Sequence, residues 1–128
     1  MNRIPTLLTL VLCTGCLLAA NKAVPRDATS LIANVRTAAL ARDQNSLKLL
    51  MATDFVLSFG GDGGKAEALA LWTSNPEYLQ ELAKATSGPC ELQLPDYVQC
   101  PLNAGSGLRA GFKLVDTKWV FSSFVGGD

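Results

Sequence analysis

Met1-Asn2-Arg3 supplies one basic residue, residues 4–18 are almost wholly apolar, and Ala19-Ala20 ends the run with small side chains. That order is a secretory address rather than part of a fold. The run is about fifteen residues, short of the roughly 20 that a membrane-spanning helix needs, and no later segment is long or apolar enough to span a bilayer. Simple cleavage after Ala20 is the favoured processing, leaving residues 21–128 as the working protein. A lipobox ending at Cys16 is the alternative. Gly15 and Thr14 suit it, but Cys13 stands where leucine is usual, and lipidation there would tether the domain to a bacterial membrane. An uncleaved anchor is the third option. Cys13 and Cys16 form a C-x-x-C pair, but it lies inside the export segment and carries no expectation of redox chemistry.

An exported chain of this size has room for one small domain, whose modest core gains from a covalent cross-link. Two cysteines survive cleavage, Cys90 and Cys100, and in an oxidising compartment an isolated pair forms a bridge more often than not. Between them Pro95-Asp96 is a turn signal. Folding back there sets Cys90 opposite Cys100 and Leu92 opposite Val98, at the separation of about 4.5–5.5 Å between Cα atoms that a disulfide accepts. A reactive thiol pair is disfavoured, because no histidine is present to activate it.

The absence of histidine excludes several chemistries. No Ser-His-Asp or Cys-His arrangement can be built, and imidazole zinc sites are ruled out. Acid–base work would have to rest on carboxylates, Tyr78, Tyr97 or a lysine of shifted pKa. The 11 Lys/Arg balance the 11 Asp/Glu, and losing Arg3 with the leader leaves one acid in excess. No basic block marks a nucleic-acid partner. No cofactor, metal site or catalytic residue is expected.

Along the chain, residues 21–28 read as a tether and residues 29–128 as the domain. A helix capped by Asp27 or Thr29 carries Ile32, Val35 and Ala39 on one face. Residues 43–45 break it, and a shorter helix follows with Leu47, Leu50 and Met51, capped by Asn45 or Ser46. Residues 54–59 alternate as a strand, with Phe55, Leu57 and Phe59 on one face. Residues 60–64 are glycine-rich, and residues 65–72 are rich in helix formers. Ser74 and Glu77 have capping-box spacing around Pro76, opening a helix that buries Leu79, Leu82 and Ala83 and stops at Gly88-Pro89. In the last third, a two-residue loop at Asp116-Thr117 pairs Phe112 with Phe121 and Leu114 with Trp119 on the core face. The expected fold is α+β, with N-terminal helices packed on a curved antiparallel sheet that ends in a C-terminal β-hairpin.

The strand–glycine–lysine–helix order is that of a phosphate loop. However, Ala66 follows Gly64-Lys65 where a hydroxyl is required, and Phe59 stands in place of the first glycine. The bland alternative is a corner needing positive φ, with Asp62 or Gly64 near the helix start. A weaker functional reading keeps its amides as an anion site. Asp62 and Glu67 lack the further oxygen ligands that calcium needs. Trp72 and Trp119 at these spacings read as core before pocket. Arg109 falls next to Phe124 in the proposed register, either stacking on that ring or pointing into a cavity. Asp62, Trp72 and Arg109 are the candidate ligand-binding residues.

Several segments carry a family resemblance. The first helix, Ala41-Arg42-Asp43-Gln44-Asn45-Ser46-Leu47-Lys48-Leu49-Leu50, and Asp54-Phe55-Val56 leading into glycines resemble the opening of nuclear transport factor 2-like domains. Gly111-Phe112 through Trp119 to Phe124 is similar to their closing hairpin. The wording around Ser58-Phe59-Gly60-Gly61-Asp62, Trp72, Leu108-Arg109-Ala110-Gly111-Phe112 and Phe124-Val125-Gly126-Gly127-Asp128 also resembles uncharacterised bacterial exported proteins. Some of those carry an inserted Src-homology-3-like module, for which this chain has no room. The resemblance spans most of residues 29–128 and leaves 86–106 unmatched. It implies a curved sheet wrapped by helices around a conical cavity, and it transfers no catalytic residue.

The expected function is a periplasmic or secreted, non-enzymatic module that binds an unidentified protein or a small apolar ligand. One alternative is a small carboxylate-dependent enzyme of the same superfamily, with Asp54 or Asp62 as base. Another is a periplasmic immunity or inhibitor protein.

Overall fold

The computed structural model describes residues 23–57, 64–105 and 107–126. The stretch expected as a secretory address, with Cys13 and Cys16, and most of the glycine-rich stretch, with Asp62, lie outside them. Four helices and five strands follow in the order α1 (Arg26–Ala41), α2 (Gln44–Leu50), β1 (Met51–Leu57), α3 (Gly64–Ser74), α4 (Glu77–Ser87), β2 (Glu91–Leu94), β3 (Tyr97–Cys100), β4 (Leu108–Val115) and β5 (Lys118–Gly126). The helices pack on a single mixed sheet of strand order β1-β5-β4-β3-β2. The α+β expectation, with helices on a sheet and a terminal hairpin, therefore holds.

Helix α1 buries Ala28, Leu31, Ile32, Val35, Ala38 and Ala39, a stripe at the three- and four-residue steps of one helical face. It starts at Arg26 behind Pro25, inside the stretch expected as tether, so neither Asp27 nor Thr29 caps it. Thr29 instead donates its amide and hydroxyl back to the Pro25 carbonyl. The helix ends with Arg42 in the left-handed region, at φ 53°. There the Asp43 amide reaches the Ala38 carbonyl and the Arg42 amide reaches that of Ala39, which closes a Schellman-type cap.

Asp43 then opens α2. Its carboxylate accepts from the Ser46 amide at 3.1 Å and from the Ser46 hydroxyl at 2.6 Å, so Asp43 is the cap and not Asn45 or Ser46. The expected helical Met51 is the first residue of β1. Phe55 and Leu57 are buried and Val56 is exposed, as the alternation requires. Thr53 and Asp54 are both exposed in succession, where the β1–β5 register shifts.

The capping box at Ser74 does not form, because Ser74 is still the last residue of α3. Only Asn75 and Pro76 separate the two helices, and the Asn75 carbonyl takes the Tyr78 amide at 3.2 Å. The stop at Gly88-Pro89 and the buried Leu79, Leu82 and Ala83 stand as expected.

Strands β2 to β5 form an antiparallel meander. Strand β1 joins its edge in parallel with β5. Tight turns set the direction within the β2–β3 and β4–β5 hairpins, whereas β1 reaches the sheet through two intervening helices and no local turn reports its sense, so the sheet is mixed and not wholly antiparallel as expected. Leu92 faces Val98 and Glu91 faces Gln99. This brings the Cys90 and Cys100 sulfurs to 2.01 Å, with Cα atoms 4.4 Å apart.

In the β4–β5 hairpin Phe112 faces Phe121 and Leu114 faces Trp119, as the pattern predicts, and the loop has two residues. Between Gly111 and Phe112 the register shifts by one, leaving Ser122 as an extra residue. Beyond this bulge the parity of β5 inverts. Ala110 then faces Phe124, and Arg109 faces Val125. Phe124 is thereby delivered to the core, and the expected Arg109–Phe124 neighbourhood is not made.

Helices α1 and α4 pack on one another, α1 also against β5 and α4 against β4, while α3 covers β1. Arg36 fastens the helical layer. Its Nε donates to the Thr86 carbonyl at 3.2 Å and its Nη2 donates to the same oxygen, placing a cation on the last turn of α4.

Candidate functional site

The three residues expected to line a site are not brought together. Asp62 lies outside the described residues. Trp72 is fully buried in an aromatic cluster. Its ring stands edge-on to Phe55 at 5.8 Å and to Phe124 at 6.1 Å and lies stacked against Phe121 at 6.4 Å. Phe55–Phe121 and Phe112–Phe121 contacts at 4.9 and 5.3 Å continue the cluster across the sheet. Each such pair contributes about 0.5–1.5 kcal/mol beyond burial alone. Trp72 is therefore a core residue, although its Nε1 has no hydrogen-bond partner among the described residues. Arg109 is half-buried, on the sheet face turned away from that cluster. Its Nη2 donates to the Gly105 carbonyl at 3.4 Å, and its Nε is buried without a partner among the described residues.

Gly64 has φ +59° and opens α3, as the corner reading expects. It also lies close to β1: a Cβ there would stand 3.4 Å from the Thr53 carbonyl oxygen.

Asp54 is well exposed and ion-paired. Both carboxylate oxygens accept from Lys113 Nζ, at 2.9 and 2.8 Å. This hydrogen bond and the ammonium charge hold the Asp54 carboxyl below its ordinary 3.8. A carboxylate stabilised in this way is a weakened proton acceptor. No group of three or more His, Cys, Asp or Glu among the described residues is placed to hold a metal ion.

The concave features lie at the surface. A trough of about 350 Å³ runs between α1 and α2, floored by Ala38, Ala41 and Leu50, with Leu49 on its wall and Asp43 at its end. It shares Asn34 and Leu50 with a second hollow of about 300 Å³ that reaches Thr117, Lys118 and Trp119 on the hairpin turn. Leu49 is 84% exposed. Sequence reasoning passed over Leu49, yet the signal was present: three leucines within Leu47-Lys48-Leu49-Leu50 exceed what one face of a two-turn helix can bury. A separate cleft of about 430 Å³ lies between α4 and the loop that joins β3 to β4.

The chain is similar in structure to an NTF2-like protein of unknown function from Pseudomonas putida KT2440. The match has a TM-score of 0.49 at 16% identity, over 75% of this chain and 80% of that one. No family model matches the chain, and no curated protein does. Among the described residues no helix is long and apolar enough to cross a membrane.

Proposed function

We propose that the chain is exported and acts as a non-enzymatic binding module of the nuclear transport factor 2-like kind, docking an apolar segment of a partner protein along α1 and α2. The observation that carries this reading is Leu49, 84% exposed on the wall of a trough floored by Ala38, Ala41 and Leu50. Burying a leucine stabilises by roughly 1.5–3 kcal/mol, and a partner that covers Leu49 recovers that contribution. An exposed leucine alone needs no explanation, whereas one set beside a preformed apolar hollow suits docking.

The filled aromatic cluster around Trp72 supports surface binding over enclosed binding, because the rings occupy the space where a ligand would sit. The Lys113 clamp on Asp54 weighs against that carboxylate as a general base. Export is supported by the address in residues 1–20 and by a cysteine pair suited to an oxidising compartment.

The test places a photo-crosslinking amino acid at position 49 in producing cells. The expected result is a discrete protein adduct that is lost in Ala41→Asp and absent when the probe replaces the exposed Leu94. Equal labelling from both positions overturns the proposal. Mass spectrometry of the mature chain checks export, with an N-terminus at Asn21 for simple cleavage or a lipid on Cys16 for the alternative.

A further inference from the structure

Apart from the α1–α2 trough, the cleft between α4 and the segment carrying Pro101, Asn103, Ala104, Gly107 and Leu108 has the features of a built site. Its walls are pinned at three places. The Cys90–Cys100 sulfurs join the segment after α4 to the start of the loop. Gly88 lies so close to Pro101 that a Cβ on it would stand 2.8 Å from the proline Cβ. The Leu102 amide donates to the Pro89 carbonyl at 2.7 Å. Gln99 adds side-chain hydrogen bonds to the Pro101 and Leu102 carbonyls at 3.3 and 3.5 Å. A hollow held in this way is formed before any ligand arrives, which removes an ordering cost from binding.

Its volume of about 430 Å³ falls within the range of small-molecule sites, roughly 300–1,000 Å³. Ala85, Pro101 and Leu108 give it an apolar floor, and Glu81 and Lys84 stand on its α4 side. Those two side chains are exposed, sit three residues apart on one helical face, and have no ion-pair partner among the described residues. Asn103 on the opposite wall offers both a donor and an acceptor.

This pattern selects a ligand class. A simple anion drawn to Lys84 meets the carboxylate of Glu81, and a simple cation meets the reverse. A molecule carrying both an ammonium and a carboxylate satisfies both charges, and an apolar side chain fits the floor. We infer that this cleft is a binding site for a small apolar zwitterion, an amino acid or very short peptide with free termini. The ligand's ammonium pairs with Glu81 and its carboxylate with Lys84. The site is separate from the α1–α2 trough and stands whether or not a protein docks there.

The experiment titrates leucyl-leucine into the folded domain and follows backbone amide shifts by NMR. Saturable shifts are expected at Ser87, Gly88, Ala104 and Leu108, with positions around Leu49 unmoved. N-acetylation or C-amidation of the dipeptide should each weaken binding about fivefold, the scale of one partly exposed ion pair. Glu81→Gln should weaken the free dipeptide by the same factor and leave the N-acetyl form unchanged, and Lys84→Gln should do likewise for the C-amide form. Both residues are exposed, so the variants should keep the native shift dispersion. Shifts that do not saturate, or equal affinity for the free and capped dipeptides, overturn the assignment.

Discussion

Lys113 on β4 reaches across β5 to hold both carboxylate oxygens of Asp54 on β1, at 2.9 and 2.8 Å. The pair ties the edge strand to the meander on the outer face of the sheet, where β1 is otherwise paired with β5 alone. Asp54 is 71% exposed and Lys113 33%, so solvent screens the attraction and the contribution to stability is small.

The pH dependence has a definite sign. The folded Asp54 carboxyl titrates below 3.8 because of the Lys113 hydrogen bond and charge. Asp43 also titrates below 3.8, because of the Ser46 hydroxyl and amide. A depressed folded value means that the stabilisation is complete above the unfolded carboxylate pKa and is lost as pH falls through the folded one. Asp54→Asn should therefore melt slightly below the native chain at neutral pH, and the two melting curves should converge as pH falls through the folded carboxyl's depressed range. A gap that persists in acid would show that the asparagine acts through packing.

The cysteine pair closes a short loop. Cys90→Ser should cost roughly 2–3 kcal/mol on the chain-entropy model, or on the order of 10–20 °C in Tm for a domain of this size. Cys90→Ser/Cys100→Ser should do no further harm. Additive losses in calorimetry would mean that the two sulfurs act separately.

Thr117 sits at φ 67° and Asp116 at φ 48°, the doubly left-handed geometry of a tight hairpin turn, which favours glycine and asparagine. A β-branched residue there is strained. Thr117→Gly should raise stability by about 1 kcal/mol, measurable as a higher urea midpoint with an unchanged slope.

Arg36 serves the Thr86 carbonyl with two nitrogens. Arg36→Met keeps much of the stem and removes the donors. The expected cost is about 1.5–3 kcal/mol, the range for hydrogen bonds to charged groups. Arg36→Lys should recover part of it. Chemical denaturation of the three chains decides the matter.

Much of this architecture was legible in the sequence because it is local. The Leu92–Val98 facing, the Phe112–Phe121 pair and the stop at Gly88-Pro89 follow from side-chain parity and turn chemistry within a few residues. What escaped depends on distant partners. The sense of β1 is set by the packing of the helical layer, and the clasp between Arg36 and Thr86 joins residues 50 apart in the chain. The Ser74 box failed because α3 runs two residues beyond the helix-forming stretch 65–72 and takes Ser74 as its last residue. Of the candidate site residues, Trp72 is buried in the aromatic cluster, as its core alternative has it and not as a residue lining a site. The trough and the α4 cleft were not legible, since their walls come from segments that share no motif.

Ser122 makes the hairpin odd by one. Straightening the strand with Ser122 kept in the ladder would turn Phe124 to water and Val125 inward, trading an aromatic ring in the Trp72 cluster for a smaller aliphatic group. A strand lacking Ser122 would bring Phe124 inward by plain alternation, so the extra residue and the bulge that absorbs it are a matched pair.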